Sequence, residues 1–208
     1  NQNKIFSVIA LISLSVLSYL GYQRFIAEPK ETEAISELNQ AQYFFELALV
    51  SNESDSLFKL ALNGGEGKYG FLDIVDEYSG TKAANLANYS IGMSYLNLKE
   101  YDKAIVYLEK FNSDDILLKS ISLGTIGDCF SELNRPKEAF EYYKKAFKHN
   151  ENIYTTPKYL FKAALLGSEL GEYRSALNYL NRIKEEFPDS YEFSLVEVQI
   201  GRIENLNN

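Results

Sequence analysis

The sequence predicts an all-α chain: a single N-terminal transmembrane helix, then an α-solenoid of about four helix pairs closed by a C-terminal capping helix. Three observations predict this. Ile5 to Tyr22 runs for 18 residues without a charge. Farther along, small residues recur at spacings of 35 and 37. The turn residues that a β-sandwich needs are scarce, with only 4 Pro among 208 residues, so the composition leans helical.

The apolar segment reads IFSVIALISLSVLSYLGY. At the rise of an α-helix it spans roughly 27 Å, close to the thickness of a bilayer core. Ile5, Ile12 and Leu17 give it an apolar body, and Tyr19 and Tyr22 fall where an interfacial aromatic belt would lie. Its serines are tolerable because each hydroxyl can bond back to a helix carbonyl. A cleaved signal peptide would need small residues after the apolar core, and Tyr19-Leu20-Gly21-Tyr22-Gln23-Arg24 is bulky there. A lipoprotein would need a Cys there. The segment is therefore expected to be a retained anchor. The chain begins at Asn1, which predicts missing upstream residues and leaves orientation weakly set by Lys4 against Arg24 and Lys30.

Beyond the anchor the chain is acidic. The first carboxylate is Glu28, so 19 basic residues face 29 acidic ones there, a net of −10. Such a surface repels nucleic acid and anionic headgroups. A single Cys, Cys129, excludes an internal disulfide and leaves the compartment open.

Three segments align in register. Gly92, Gly127 and Ala164 correspond, as do Ala104, Ala139 and Ala176, with 12 residues between the two small positions of each unit. Tyr95, Phe130 and Gly167 follow three residues after the first small position, and Leu108, Tyr143 and Leu180 four after the second. Small residues let two antiparallel helices approach closely, while the larger neighbours fill the adjacent groove. Turn signals fall between the helices at Asn97-Leu-Lys-Glu, Asn134-Arg-Pro and Gly171-Glu. This pattern resembles the tetratricopeptide repeat (TPR) family, whose period is 34 residues.

The boundaries expected on this basis are an anchor over 1–27 and a spacer with the start of the first helix over 28–40. A TPR-like domain follows over 41–188, its units at 41–80 (degenerate), 81–115, 116–152 and 153–188. A capping helix occupies 189–208. Within the first unit, residues 51–69 read as an atypical connection. Glu192, Glu197, Gln199, Arg202 and Glu204 would give the cap a polar outer face.

No residue pattern points to catalysis, a metal or a cofactor. Gly64-Gly-Glu-Gly-Lys68 lacks the spacing and the following Ser or Thr of a phosphate loop, so it reads as an interhelix loop. His149 stands late in a helix, where a cation suits the dipole. Cys129 precedes a packing position and reads as a buried thiol. Asp114-Asp115 reads as a helix cap.

The TPR resemblance implies a concave protein-binding groove on the inner face of the first helices. It would be lined by Tyr89, Met93, Leu96 and Asn97, then Gly124, Asp128, Ser131 and Glu132, then Phe161, Leu165, Ser168 and Glu169. The Lys, Arg and Asn set with which some TPR domains hold a C-terminal carboxylate is absent. An extended or helical segment with apolar and basic side chains would suit this mixture better.

The whole plan (one anchor, a charged spacer Glu28-Pro-Lys-Glu, then repeats to the end) is similar to YfgM-like proteins, ancillary subunits of the bacterial SecYEG translocon. The stretch from Gly70 to Ala87 looks like the versions from Bacteroidota. That resemblance implies an accessory or chaperone-like export subunit, with its N-terminus in the cytoplasm and its repeats in the periplasm. A membrane-anchored peptidyl-prolyl isomerase would be a partner. A scaffold for another envelope assembly, or a membrane-bound regulator, would use the same parts.

Overall fold

The computed structural model describes residues 2–65 and 67–206. Residue 1 of the expected anchor, Glu66 of the glycine-rich loop and residues 207–208 of the capping segment lie outside the described residues. The described chain is helical, with one isolated backbone bridge, Gly65 to Lys68. Residues 1–90 and 91–208 form two compact units.

In the first unit, α1 (Gln2–Tyr22) carries no charge from Ile5 onward and buries none of its described side chains. An 18-residue window of mean hydropathy 2.0 is entirely exposed, so the helix is long and apolar enough to cross a membrane. Ile5, Ile12, Leu17, Tyr19 and Tyr22 are all exposed on it. Ser15 donates its hydroxyl to the Leu11 carbonyl at 2.9 Å, which removes the cost of an unbonded polar group.

The expected spacer is helical. A π turn, Gln23–Ala27, leads straight into α2 (Glu28–Val50). Pro29 sits at the start of α2, where its missing N–H and its ring would otherwise disturb the preceding turn, and the wider π turn falls just before it. Glu31 then reaches a helix start 51 residues away: its carboxylate accepts from the backbone N–H groups of Lys82 and Ala83 at 2.8 and 3.0 Å. A carboxylate at a helix N-terminus meets unsatisfied N–H groups and the positive end of the dipole.

The span 51–69, expected as a connection, contains a helix, α3 (Ser54–Asn63). It buries Phe58, Ala61 and Leu62, a three-to-four-residue stripe. Phe45 of α2 meets Phe58 and Phe71 edge-on at 5.7 and 6.1 Å, which ties α3 and α4 (Phe71–Glu77) to α2. In the glycine loop the Gly65 and Lys68 amides bond each other's carbonyls, so both N–H groups are turned into the loop itself.

The division between the units falls within α5 (Lys82–Asn97). The second unit continues with α6 (Tyr101–Lys110), α7 (Leu118–Glu132), α8 (Pro136–His149), α9 (Thr156–Glu169), α10 (Tyr173–Glu186) and α11 (Phe193–Leu206). Where paired helices approach, the small residues have a steric role. A Cβ on Gly92 would fall on the Leu108 side chain. One on Gly127 would lie 2.6 Å from the Tyr143 ring and 3.3 Å from the Ala139 carbonyl. Ala104, Ala139, Ala164 and Ala176 are fully buried. Leu108 and Leu180 are equally buried, each worth about 1.5–3 kcal/mol relative to exposure.

The three turns between paired helices share one geometry. Lys99, Asn134 and Gly171 are left-handed, with φ of 61°, 56° and 79°. In each turn the following N–H reaches back five residues: Glu100 to Tyr95, Arg135 to Phe130 and Glu172 to Gly167, at 2.8, 2.9 and 2.7 Å. These bonds satisfy carbonyls at a helix end that would otherwise be orphaned. Between units, Asp115 accepts from the Leu117 and Leu118 amides, and Asn152 accepts from those of Tyr154 and Thr155. Asp115 thus acts as a local cap.

Two outcomes follow from this geometry. Lys99 carries a Cβ in a left-handed turn, so Lys99→Gly should stabilise by about 0.5–1 kcal/mol, while Gly171→Ala should destabilise by about 1 kcal/mol. Urea unfolding followed by helical circular dichroism measures both. Cys129 is fully buried, and burial pushes its thiol up to about 12 from 9.0. The unfolded chain releases that proton first as pH rises, so the thiol's contribution to stability is complete below about pH 9 and is lost towards pH 12. Cys129→Ala should flatten the fall in stability across that window. At pH 8 a thiol reagent should label the native chain far more slowly than the unfolded one.

Candidate protein-binding groove

Leu96, Asn97, Asp128, Ser131 and Glu132, all expected in the groove, line one open cavity of about 530 Å³. Lys99, Tyr101, Tyr143 and Lys162 complete its wall. Helix geometry explains the grouping. Leu96 and Asn97 end α5, Asp128 to Glu132 form the last turn of α7, and Lys162 comes from α9.

Asp128 is the centre of this wall. The Tyr143 hydroxyl donates to its Oδ1 at 2.7 Å, and the Lys162 ammonium donates to the same oxygen at 2.6 Å. Lys162 also stands 5.5 Å from the Tyr143 ring centre, within cation–π range. Burial, and then the adjacent Asp128 charge, push the Tyr143 hydroxyl well above the usual phenol range, so it stays a neutral donor. Tyr143 stacks on Tyr159 at 6.4 Å. At the mouth, Tyr101 donates to Glu132 over a long 3.4 Å, and the Asn97 amide donates to the Met93 carbonyl.

This corrects two expectations. Gly124 does not face the groove, because the Tyr159 ring lies over it and a Cβ there would overlap that ring. The wall is not simply apolar and acidic, because Lys162 pairs with Asp128 and Lys99 adds a second cation. Lys162 follows Asp128 by 34 residues, three short of the 37 that separates these two units, so it stands one helical turn before the position equivalent to Asp128 and no repeat spacing marks it. Nothing local in the sequence marked Tyr143 as a groove residue, since its position serves the helix pair.

The other expected residues divide. Leu165, Ser168 and Glu169 line a smaller cavity of about 220 Å³ with Gln199, Arg202 and Leu206 of α11. Met93 and Phe161 are half-buried and border neither cavity. Tyr89 belongs to the first unit and is half-buried, with its hydroxyl pushed up by burial. Leu96 and Leu165 are half-buried at cavity walls and not part of the closed core. Among the described residues, no group of three or more His, Cys, Asp or Glu side chains is placed to hold a metal ion.

Comparison with known proteins agrees with the fold. The tetratricopeptide repeat family matches residues 87–113 and 121–152, and a second model of the same repeat matches 158–190. Two crystal structures of Podosopora anserina kinesin light chain nearly identical TPR-like repeats, one of them a point variant, share the fold with a TM-score of 0.57. They are 12% identical to this chain and cover 85% of it, with 87% and 88% of their own lengths matched. No curated protein matches. Residues 87–113, 121–152 and 158–190 are tetratricopeptide repeats, and the fold they build is a TPR-like α-solenoid.

Proposed function

We propose that this chain is a membrane-anchored protein-binding subunit, held to the bilayer through α1, that grips partners in the groove centred on Asp128. The observation that carries this reading is the cavity of about 530 Å³, where apolar and charged side chains from α5, α7 and α9 converge with Tyr101 of α6, Tyr143 of α8 and Lys99 of the turn between α5 and α6. Clefts of roughly 300–1,000 Å³ with a few fixed polar groups are typical binding sites. The Asp128–Lys162 pair is already satisfied, so it orients a ligand more than it attracts one. Leu96 and Tyr101 supply the contact area, and Glu132 and Lys99 stand at the rim. An extended or helical peptide segment with apolar and charged side chains fits this set.

The finer reading is an accessory, chaperone-like subunit of the Sec translocon in the bacterial inner membrane. The N-terminus would be cytoplasmic, the repeats periplasmic, and a membrane-anchored peptidyl-prolyl isomerase a neighbour. Its support is the overall plan, an apolar helix leading without interruption into a repeat array. Protein binding without catalysis is the role in keeping with these repeats.

Affinity purification of the full tagged chain in mild detergent, compared with a Leu96→Glu, Glu132→Lys variant, tests both levels. The expected result is recovery of the translocon channel with the native chain and at least tenfold less with the variant. Recovery of another envelope complex without the channel contradicts the export role and leaves the groove reading standing. Equal recovery by both chains contradicts the groove reading.

A further inference from the structure

A second cavity, of about 430 Å³, lies away from the groove at one edge of the repeat array. Its walls are two successive inter-unit connections: Ile153 and Tyr154 between α8 and α9, and Phe187, Asp189, Tyr191 and Glu192 between α10 and α11. Ile153, Tyr154 and Tyr191 are 68%, 71% and 78% exposed, and they stand together. Large apolar side chains that stand together in water beside polar residues are a common feature of interaction surfaces.

The charged residues that line this cavity are all acidic. No Lys, Arg or His lines it. Glu186, the third carboxylate on the wall, is held by Arg182, which also reaches Glu151. Asp189 and Glu192 have no cationic partner among the described residues. Asp189 is notable by position. It follows Asn152 by 37 residues, as Tyr191 follows Tyr154, the same offset that separates Gly127 from Ala164. At the matching place Asn152 accepts from two backbone amides of its own turn. Asp189 makes no such bond among the described residues, so its carboxylate is left for another group.

We propose that this edge cavity binds an arginine or lysine side chain of a partner protein, flanked by apolar residues of the same segment. The aromatic faces of Tyr154, Phe187 and Tyr191 suit both the apolar stem and the cation. Asp189 and Glu192 supply charge-assisted acceptors for the head group. The site differs in chemistry from the groove, whose wall carries two lysines, and it does not depend on the groove reading.

The chain has no Trp, so a Trp-containing probe reports its own binding by fluorescence. The probe is the peptide acetyl-Leu-Arg-Trp-Arg-Leu-amide, titrated against the full chain in nanodiscs of zwitterionic lipid, with a peptide bearing Glu in place of Arg as control. The expected result is binding of the basic probe only. It should weaken at least tenfold with Tyr191→Ser and with the double variant Asp189→Lys, Glu192→Lys, which should instead bind the acidic peptide. Glu132→Lys in the groove should leave the basic probe unaffected. Equal affinity for both peptides overturns the proposal, and so does loss of binding with Glu132→Lys alone. If the native chain is a dimer that Tyr191→Ser dissociates, the occupant is a second copy and the proposal fails. Glu132, Asp189 and Tyr191 are exposed and Glu192 is half-buried, and unchanged helical circular dichroism confirms folding of each variant.

Discussion

The close approach of α7 and α8 at Gly127 is the constraint on which the second unit depends. No side chain fits there without displacing the Tyr143 ring or pressing on the Ala139 carbonyl. The same restriction appears at Gly92 beneath Leu108. A glycine inside a helix costs roughly 0.5–1 kcal/mol relative to alanine, so its use here reflects the contact it permits. With the helices this close, Phe147, Leu108 and Leu180 close over the interior.

Tyr143 carries that packing constraint into the groove. Its ring covers Gly127, its face stacks on Tyr159 of the next unit, and its hydroxyl holds Asp128 beside Lys162. Fold and site therefore share a residue. A change that tilts the ring shifts the central carboxylate of the wall even if the helices remain intact. The Asp128–Lys162 pair is about two-thirds buried on each side, so its direct contribution to stability is modest and its main effect is to fix position.

What the sequence revealed follows from what periodicity encodes. The small positions, the turns at Asn134 and Gly171, and the apolar run of α1 are local patterns that recur, and each was legible. The turn at Asn97-Leu-Lys-Glu was legible as well, but not that Lys99 is its left-handed residue, because no glycine or asparagine stands at that position to announce it. The helix α3 was hidden because its apolar stripe is only Phe58, Ala61 and Leu62, next to a glycine-rich loop that draws attention to itself. The cap that Glu31 provides to α5 spans 51 residues, and no local spacing predicts such a bond. In the groove, positions on one helix face could be read off, giving Asp128, Ser131 and Glu132. Contributions from the second helix of a unit or from the next unit, Tyr143 and Lys162, needed the packing itself.

A comparison of unfolding free energies tests the central claim most directly. Gly127→Ala is measured alone and in a Tyr143→Leu background. The third unit already combines Ala164 with Leu180, both fully buried, so alanine is compatible with leucine at this contact. The account predicts that Gly127→Ala costs about 1–3 kcal/mol against tyrosine. Against leucine it should cost at least about 1 kcal/mol less, a coupling expected of residues in direct contact. An equal cost in both backgrounds would show that the Gly127–Tyr143 contact does not set the helix pair, and would contradict the account.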